Sequence, residues 1–105
     1  TRAPPSAPAG SDMAAAAHRI VVEGHVQGVG FRWWAVGQAR GLGLTGWVRN
    51  RRDGTVEILA IGETGAVERL IEACRQGPTG AAVRSVQAEP AQDDGSMDFD
   101  QRASL

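Results

Sequence analysis

The chain contains no lysine and no tyrosine, and all 11 of its basic residues are arginine. Without an ε-amino group, Schiff-base chemistry, a lysine general base and a Walker-type phosphate loop are excluded. The Ala/Gly/Arg-rich balance reads as the mark of a GC-rich genome. Cysteine occurs once, at Cys74, so there is no internal disulfide framework. With two histidines beside it, no zinc-ligand spacing arises and no metal is expected. No apolar run approaches the roughly 18 residues of a membrane span. The first residues lack the basic segment and apolar stretch of a secretory signal. A cytoplasmic protein with no membrane partner is therefore expected. The formal net charge of -1 is not that of a general nucleic-acid binder, and no nucleic-acid partner is expected. A few placed arginines still suffice for a local anion site.

What is present suits one small globular domain: 105 residues, 42% hydrophobic and 22% charged. Residues 1–17, TRAPPSAPAGSDMAAAA, hold three prolines and almost no large apolar side chain. Such a segment cannot form a core and reads as a disordered tail or a vector-derived remnant, with Met13 as a candidate natural start. From His18 the pattern changes. Ile20-Val21-Val22, bounded by Gly24, reads as a buried strand. Residues 25–31 read as a loop, and Arg32 to about Gly41 as a helix, although Gly37 weakens its interior.

Leu44 to Asn50 and Thr55 to Ile61 read as two strands joined at Asp53-Gly54, a strong hairpin signal. Val56, Ile58 and Ala60 share one face of the second strand and Glu57 takes the other. Thr64 is a candidate N-cap. Val67, Leu70, Ile71 and Cys74 then form an amphipathic stripe that stops at Gly77-Pro78. Ala82 to Ala88 reads as a strand in which Val83 and Val86 differ in parity, as a β-bulge would produce. Met97 to Phe99 is a short last strand, with Met97 and Phe99 on one face. The order βαββαβ, with a possible short fifth strand, is the α+β, ferredoxin-like split βαβ sandwich. In that plan an antiparallel sheet carries two helices on one face.

Two segments carry chemistry. Between strand and helix lies Gly24-His25-Val26-Gln27-Gly28-Val29-Gly30-Phe31-Arg32. Gly28 and Gly30 permit positive φ, and successive N–H groups in such a turn converge into an anion nest. The helix N-terminus adds partial positive charge, and Arg32 adds a full one on a planar fork matched to phosphate oxygens. By spacing alone, a glycine-rich connection with a surface arginine is the simpler account. The second segment is Gly46-Trp47-Val48-Arg49-Asn50 with Asp53-Gly54-Thr55-Val56. Taken alone, Asn50 is an ordinary turn residue.

Together the segments resemble the two signatures of the acylphosphatase family, G-x-V-Q-G-V-x-F-R and G-x-V-x-N-x-x-D-G-x-V. Gly24, Val26, Gln27, Gly28, Val29, Phe31 and Arg32 match the first; Gly46, Val48, Asn50, Asp53, Gly54 and Val56 match the second. The resemblance makes 18–105 an acylphosphatase-like domain. It departs from the family at Phe99-Asp100-Gln101-Arg102, where the usual branched apolar residue after Phe-x is missing.

The resemblance implies hydrolysis of the carboxyl–phosphate bond of small-molecule acyl phosphates to a carboxylate and inorganic phosphate. It implies that Arg32 and the amides of Gln27, Gly28, Val29, Gly30, Phe31 and Arg32 hold the phosphoryl group. Asn50 would orient the attacking water, with no cofactor, no covalent intermediate and a monomeric state. A non-catalytic phosphate or acyl-phosphate binding module on the same fold is the alternative. An RNA-binding sheet would want more exposed aromatics than Trp47 offers. His25 is expected to face outward and Cys74 to pack inside. Trp33 and Trp34 are adjacent and cannot both face the core, so one of them is free to edge the site.

Overall fold

The computed structural model describes residues 15–105. The elements run β1 (Ala15–His25), α1 (Phe31–Gly41), β2 (Thr45–Asn50), β3 (Val56–Glu63), α2 (Thr64–Gln76), β4 (Ala82–Ala91) and β5 (Phe99–Gln101). Residues 1–14 of the expected tail, Met13 included, lie outside the described residues. The last three of that tail belong to β1, where Ala17 is buried and pairs with Ile61 and Ala91.

The five strands form one sheet in the order β4-β1-β3-β2-β5. β1 lies antiparallel between β3 and β4, and β2 is antiparallel to β3. The register brings β-branched residues side by side, Ile20 opposite Ile58 and Val22 opposite Val56. These inward residues, with Val48 and Ala60, meet Phe31, Ala35, Val36 and Ala39 of α1 and Val67, Leu70 and Cys74 of α2 in one core. Both helices therefore cover the same sheet face, α1 over β2 and β5, α2 over β1, β3 and β4. The expected α2 stripe is the buried one, with Ile71 half-buried at its rim. The β1–β4 register shifts at Glu23/Gly24, leaving Arg84 as the extra residue. That bulge lets both Val83 and Val86 pack against the core despite their parity.

Three expectations are revised. Thr64 is the first helical residue of α2 and Glu63 precedes it, without a side-chain cap. Met97 is 94% exposed and precedes β5, so it does not share a face with buried Phe99. The hairpin expected at Asp53-Gly54 is present: Gly54 N–H donates to Arg51 O (3.1 Å) and Arg51 N–H to Thr55 O (2.9 Å). With φ of 90° at Gly54, this matches a three-residue loop closed by a left-handed glycine. Last, the sheet is mixed, because β5 runs parallel to β2. Alternation in a sequence reports which face a residue takes; it carries no strand direction.

β5 is short but well tied. Gly46 N–H donates to Asp98 O (2.9 Å), Arg102 N–H to Val48 O (2.8 Å) and Arg40 Nε to Phe99 O (3.1 Å). Gly46 has a second constraint: a Cβ there would lie 1.8 Å from Leu59 O. Only glycine lets β2 approach β3 this closely. Among the described residues no helix is long and apolar enough to cross a membrane.

Candidate active site

The site forms where β1 ends, α1 begins and β2 turns. After His25 the chain makes its turn through Gly28 (φ 75°) and Gly30 (φ 78°), and α1 starts at Phe31. The buried Phe31 ring anchors that first turn and meets Trp34 edge to face, with centroids 5.1 Å apart. No side chain caps α1 and its first turn holds no acidic residue. The first N–H groups of a helix have no intrahelical acceptor. Among the described residues, the N–H groups of Gln27, Gly28, Val29 and Gly30 also meet no protein acceptor. The loop thus gathers unpaired donors beside the positive end of a helix.

Asn50 reaches the same place by strand alternation. Gly46 and Val48 face the core, and Asn50, two residues further on, keeps that parity at the end of β2. A cavity of about 130 Å³ is lined by Val26, Gly28, Gly30, Phe31, Arg32, Trp33, Asn50 and Gln101. Sequence reading named Gly28, Gly30, Phe31, Arg32 and Asn50, and all five line it. Arg19, Arg40, Arg49, Arg75, Arg84 and Arg102 are in ion pairs. Arg32 has no carboxylate partner among the described residues, so a full positive charge borders the cavity without an internal counterion.

The side chains of Gln27 and Val29 go elsewhere. Val29 packs against the core. The Gln27 carboxamide Nε2 donates to Arg51 O (2.8 Å) and to Thr55 O (2.9 Å). It therefore braces the loop of Arg32 against the hairpin of Asn50, a role that sequence reading did not assign. Asp53 holds that hairpin from within, accepting from the Thr55 N–H (3.0 Å) and hydroxyl (2.6 Å). Those bonds, the hydroxyl foremost, hold the Asp53 carboxyl below its usual range.

Gln101 was also missed as a wall of the site. Its signal was available: it lies two residues after Phe99 in an extended segment and shares its face. Of the two adjacent tryptophans, Trp34 packs on Phe31, whereas Trp33 stands 73% exposed at the cavity edge. His25 is exposed and lies outside the cavity wall. Cys74 is fully buried, and burial pushes its thiol up to about 12, well away from any nucleophilic state at neutral pH. Trp47, on the uncovered sheet face, is flanked by the guanidinium groups of Arg49 (4.7 Å) and Arg102 (5.0 Å).

Fold and cleft define a two-layer α+β domain whose helix N-terminus and hairpin face each other across an arginine-lined cavity. A family model described as acylphosphatase matches residues 18–101. An acylphosphatase of Acidiphilium cryptum (strain JF-5) is 48% identical over 88 residues, covering 84% of this chain and 97% of that protein. The solved structure of an acylphosphatase from Coxiella burnetii superposes with a TM-score of 0.81 at 39% identity, over 84% of this chain and 93% of that one. That of an acylphosphatase from Bacillus subtilis gives 0.78 at 38%, over 82% and 97%. The chain belongs to the acylphosphatase family, and its activity is the hydrolysis of acyl phosphates to a carboxylate and inorganic phosphate.

Proposed function

We propose that the phosphoryl group of a small-molecule acyl phosphate rests on the amides of residues 27–32 and on the Arg32 guanidinium, while Asn50 holds the attacking water. The observation that carries this reading is the cavity itself. Arg32, which has no carboxylate partner among the described residues, and Asn50 border one small space at a helix N-terminus. In the reaction a water oxygen forms the new bond to phosphorus. The bond from phosphorus to the acyl oxygen breaks, and its electron pair leaves with the carboxylate.

A carboxylate leaves readily and needs no general acid. The transition state of phosphoryl transfer is loose, so positioning and charge stabilisation carry most of the rate. Arginine and amide donors supply the charge stabilisation, and a carboxamide can both accept from and donate to a water. The water's proton passes to a phosphoryl oxygen, which leaves inorganic phosphate as the second product. Arg51 and Arg52, on the hairpin beside Asn50, add positive potential that draws an anionic substrate toward the cavity.

A single cysteine that is buried and free suits a reducing compartment and so supports a cytoplasmic location, and a core closed within one chain supports a monomer. The test is turnover of benzoyl phosphate and acetyl phosphate without added metal and with EDTA present. Release of inorganic phosphate under those conditions is expected. Binding of phosphate without turnover would leave a non-catalytic module.

A further inference from the structure

The cavity is too small to enclose a phosphoryl group together with a large acyl group, so the acyl portion must leave it past one of its walls. Val26 and Phe31 are buried and form the floor. Gly28, Gly30 and Arg32 belong to the phosphate cradle and Asn50 to the water. The walls that remain are Trp33 and Gln101. Trp33 is the larger and carries the apolar area. An exposed tryptophan with most of its surface in water has little structural return.

On its other side the Trp33 indole walls a second cleft of about 450 Å³, shared with Trp34, Val36, Gly37, Gln38 and Arg40. Gly37 lies four residues after Trp33, on the same strip of the helix surface. Glycine is the poorest helix former after proline. Packing does not demand it here, because a Cβ at Gly37 would meet nothing within 4 Å. Its effect is to leave the indole uncovered along the helix and the cleft open. An apolar wall that begins at the phosphate cradle and continues into an open cleft fits an aromatic or long aliphatic group attached to the phosphoryl.

We infer that Trp33 is the specificity-determining residue for the acyl group, selecting acyl phosphates with an aromatic or extended apolar acyl portion. The inference rests on the phosphate cradle assigned above. The acyl group lies against the indole, with its carboxyl carbon at the cavity mouth between Trp33 and Gln101. Stacking acts on substrate and transition state alike and so appears in KM rather than kcat.

The experiment compares benzoyl phosphate with acetyl phosphate in the wild type, Trp33→Ala and Gly37→Leu. Aromatic stacking implies a loss of about three- to tenfold in kcat/KM for benzoyl phosphate in Trp33→Ala, carried by KM. Acetyl phosphate offers one methyl group to the indole and loses correspondingly less, so the selectivity ratio falls. Gly37→Leu fills the cleft from an exposed helix position and should lower the same ratio without loss of thermal stability. Inhibition by inorganic phosphate, which has no acyl group, should hold its constant in Gly37→Leu. An unchanged ratio in both variants overturns the inference while leaving the acylphosphatase activity intact. An equal loss for both substrates, together with weaker phosphate inhibition, also overturns it, because Trp33 would then act through the loop. Failure of the wild type to hydrolyse either substrate overturns the hydrolytic reading of the site, and this inference with it.

Discussion

The side-chain amide of Gln27 lies 2.8 Å from the carbonyl oxygen of Arg51, tying the loop that enters α1 to the turn that leaves β2. A second bond, to Thr55 O, completes the tie. Arg32 and Asn50 belong to these two segments, 18 positions apart in sequence, and nothing local sets their separation. Gln27→Ala should cost about 1–3 kcal/mol, because two hydrogen bonds are lost, although Arg51 O keeps the Gly54 N–H and Thr55 O keeps the Arg51 N–H. It should also lower kcat by up to about 10²-fold, the typical cost of a misplacement near 1 Å. Gln27→Glu should be worse, since a carboxylate would face two carbonyl oxygens. Urea unfolding and benzoyl phosphate turnover, run side by side, check both effects. Normal turnover in a destabilised Gln27→Ala protein would confine the brace to stability.

Arg32 and Asn50 should separate in a paired measurement. Arg32→Ala should weaken phosphate binding and reduce kcat by at least about 10²–10³-fold, since its charge acts in both ground and transition states. Asn50→Ala should lower kcat strongly while phosphate affinity stays nearly intact, as expected when a group acts only in the transition state. Phosphate dissociation constants from NMR titration, with kcat for each folded variant, decide the matter. Comparable loss of affinity in both would make Asn50 a phosphate contact and remove its water-holding role.

Glu57 should set part of the acid sensitivity. It is 4% exposed on the uncovered sheet face, between Arg19 Nε (2.5 Å) and Arg49 Nε (2.8 Å). Burial pushes its carboxyl up, but the bonds from Arg19 and Arg49 outweigh that and hold it below the ordinary 4.5. On acidification the unfolded chain therefore takes up this proton first. The contribution is full above about pH 4.5 and is lost as pH falls through the lower, folded value. Glu57→Gln should lose about 1–3 kcal/mol at pH 7 and show a shallower decline in stability between pH 5 and 3. Urea midpoints across that range test it; parallel curves for the two proteins would place the acid sensitivity elsewhere.

Cys74 should be inert in the native state. With its thiol buried and pushed up to about 12, iodoacetamide at pH 7.5 should leave the folded protein unmodified. Alkylation should appear by mass spectrometry only once urea unfolds the chain. Cys74→Ser should cost about 1–3 kcal/mol by burying a hydroxyl without a partner, with kcat retained.

Much of the fold was legible because local rules act over a few residues. The α2 stripe, the inward Val56, Ile58 and Ala60, and the bulge that reconciles Val83 with Val86 all follow from period and parity. The site was legible for a similar reason. Both signatures are contiguous in the chain, and the glycines at 28 and 30 have the positive φ that the loop needs. Tertiary structure decided what depends on chain segments meeting. Met97 failed to enter the last strand because β5 forms only where Gly46 and Val48 offer backbone partners. Those partners also fixed the parallel direction of β5, which alternation does not encode, and that placement put Gln101 in the cavity wall. Gln27 became a brace because Arg51 and Thr55 present two carbonyls to it across the site. The choice between Trp33 and Trp34 fell to Phe31, whose buried ring takes Trp34 and leaves Trp33 at the cavity edge. Adjacent helical residues point about 100° apart, so sequence determined that the two indoles would part, and packing determined which one stood exposed at the cavity edge.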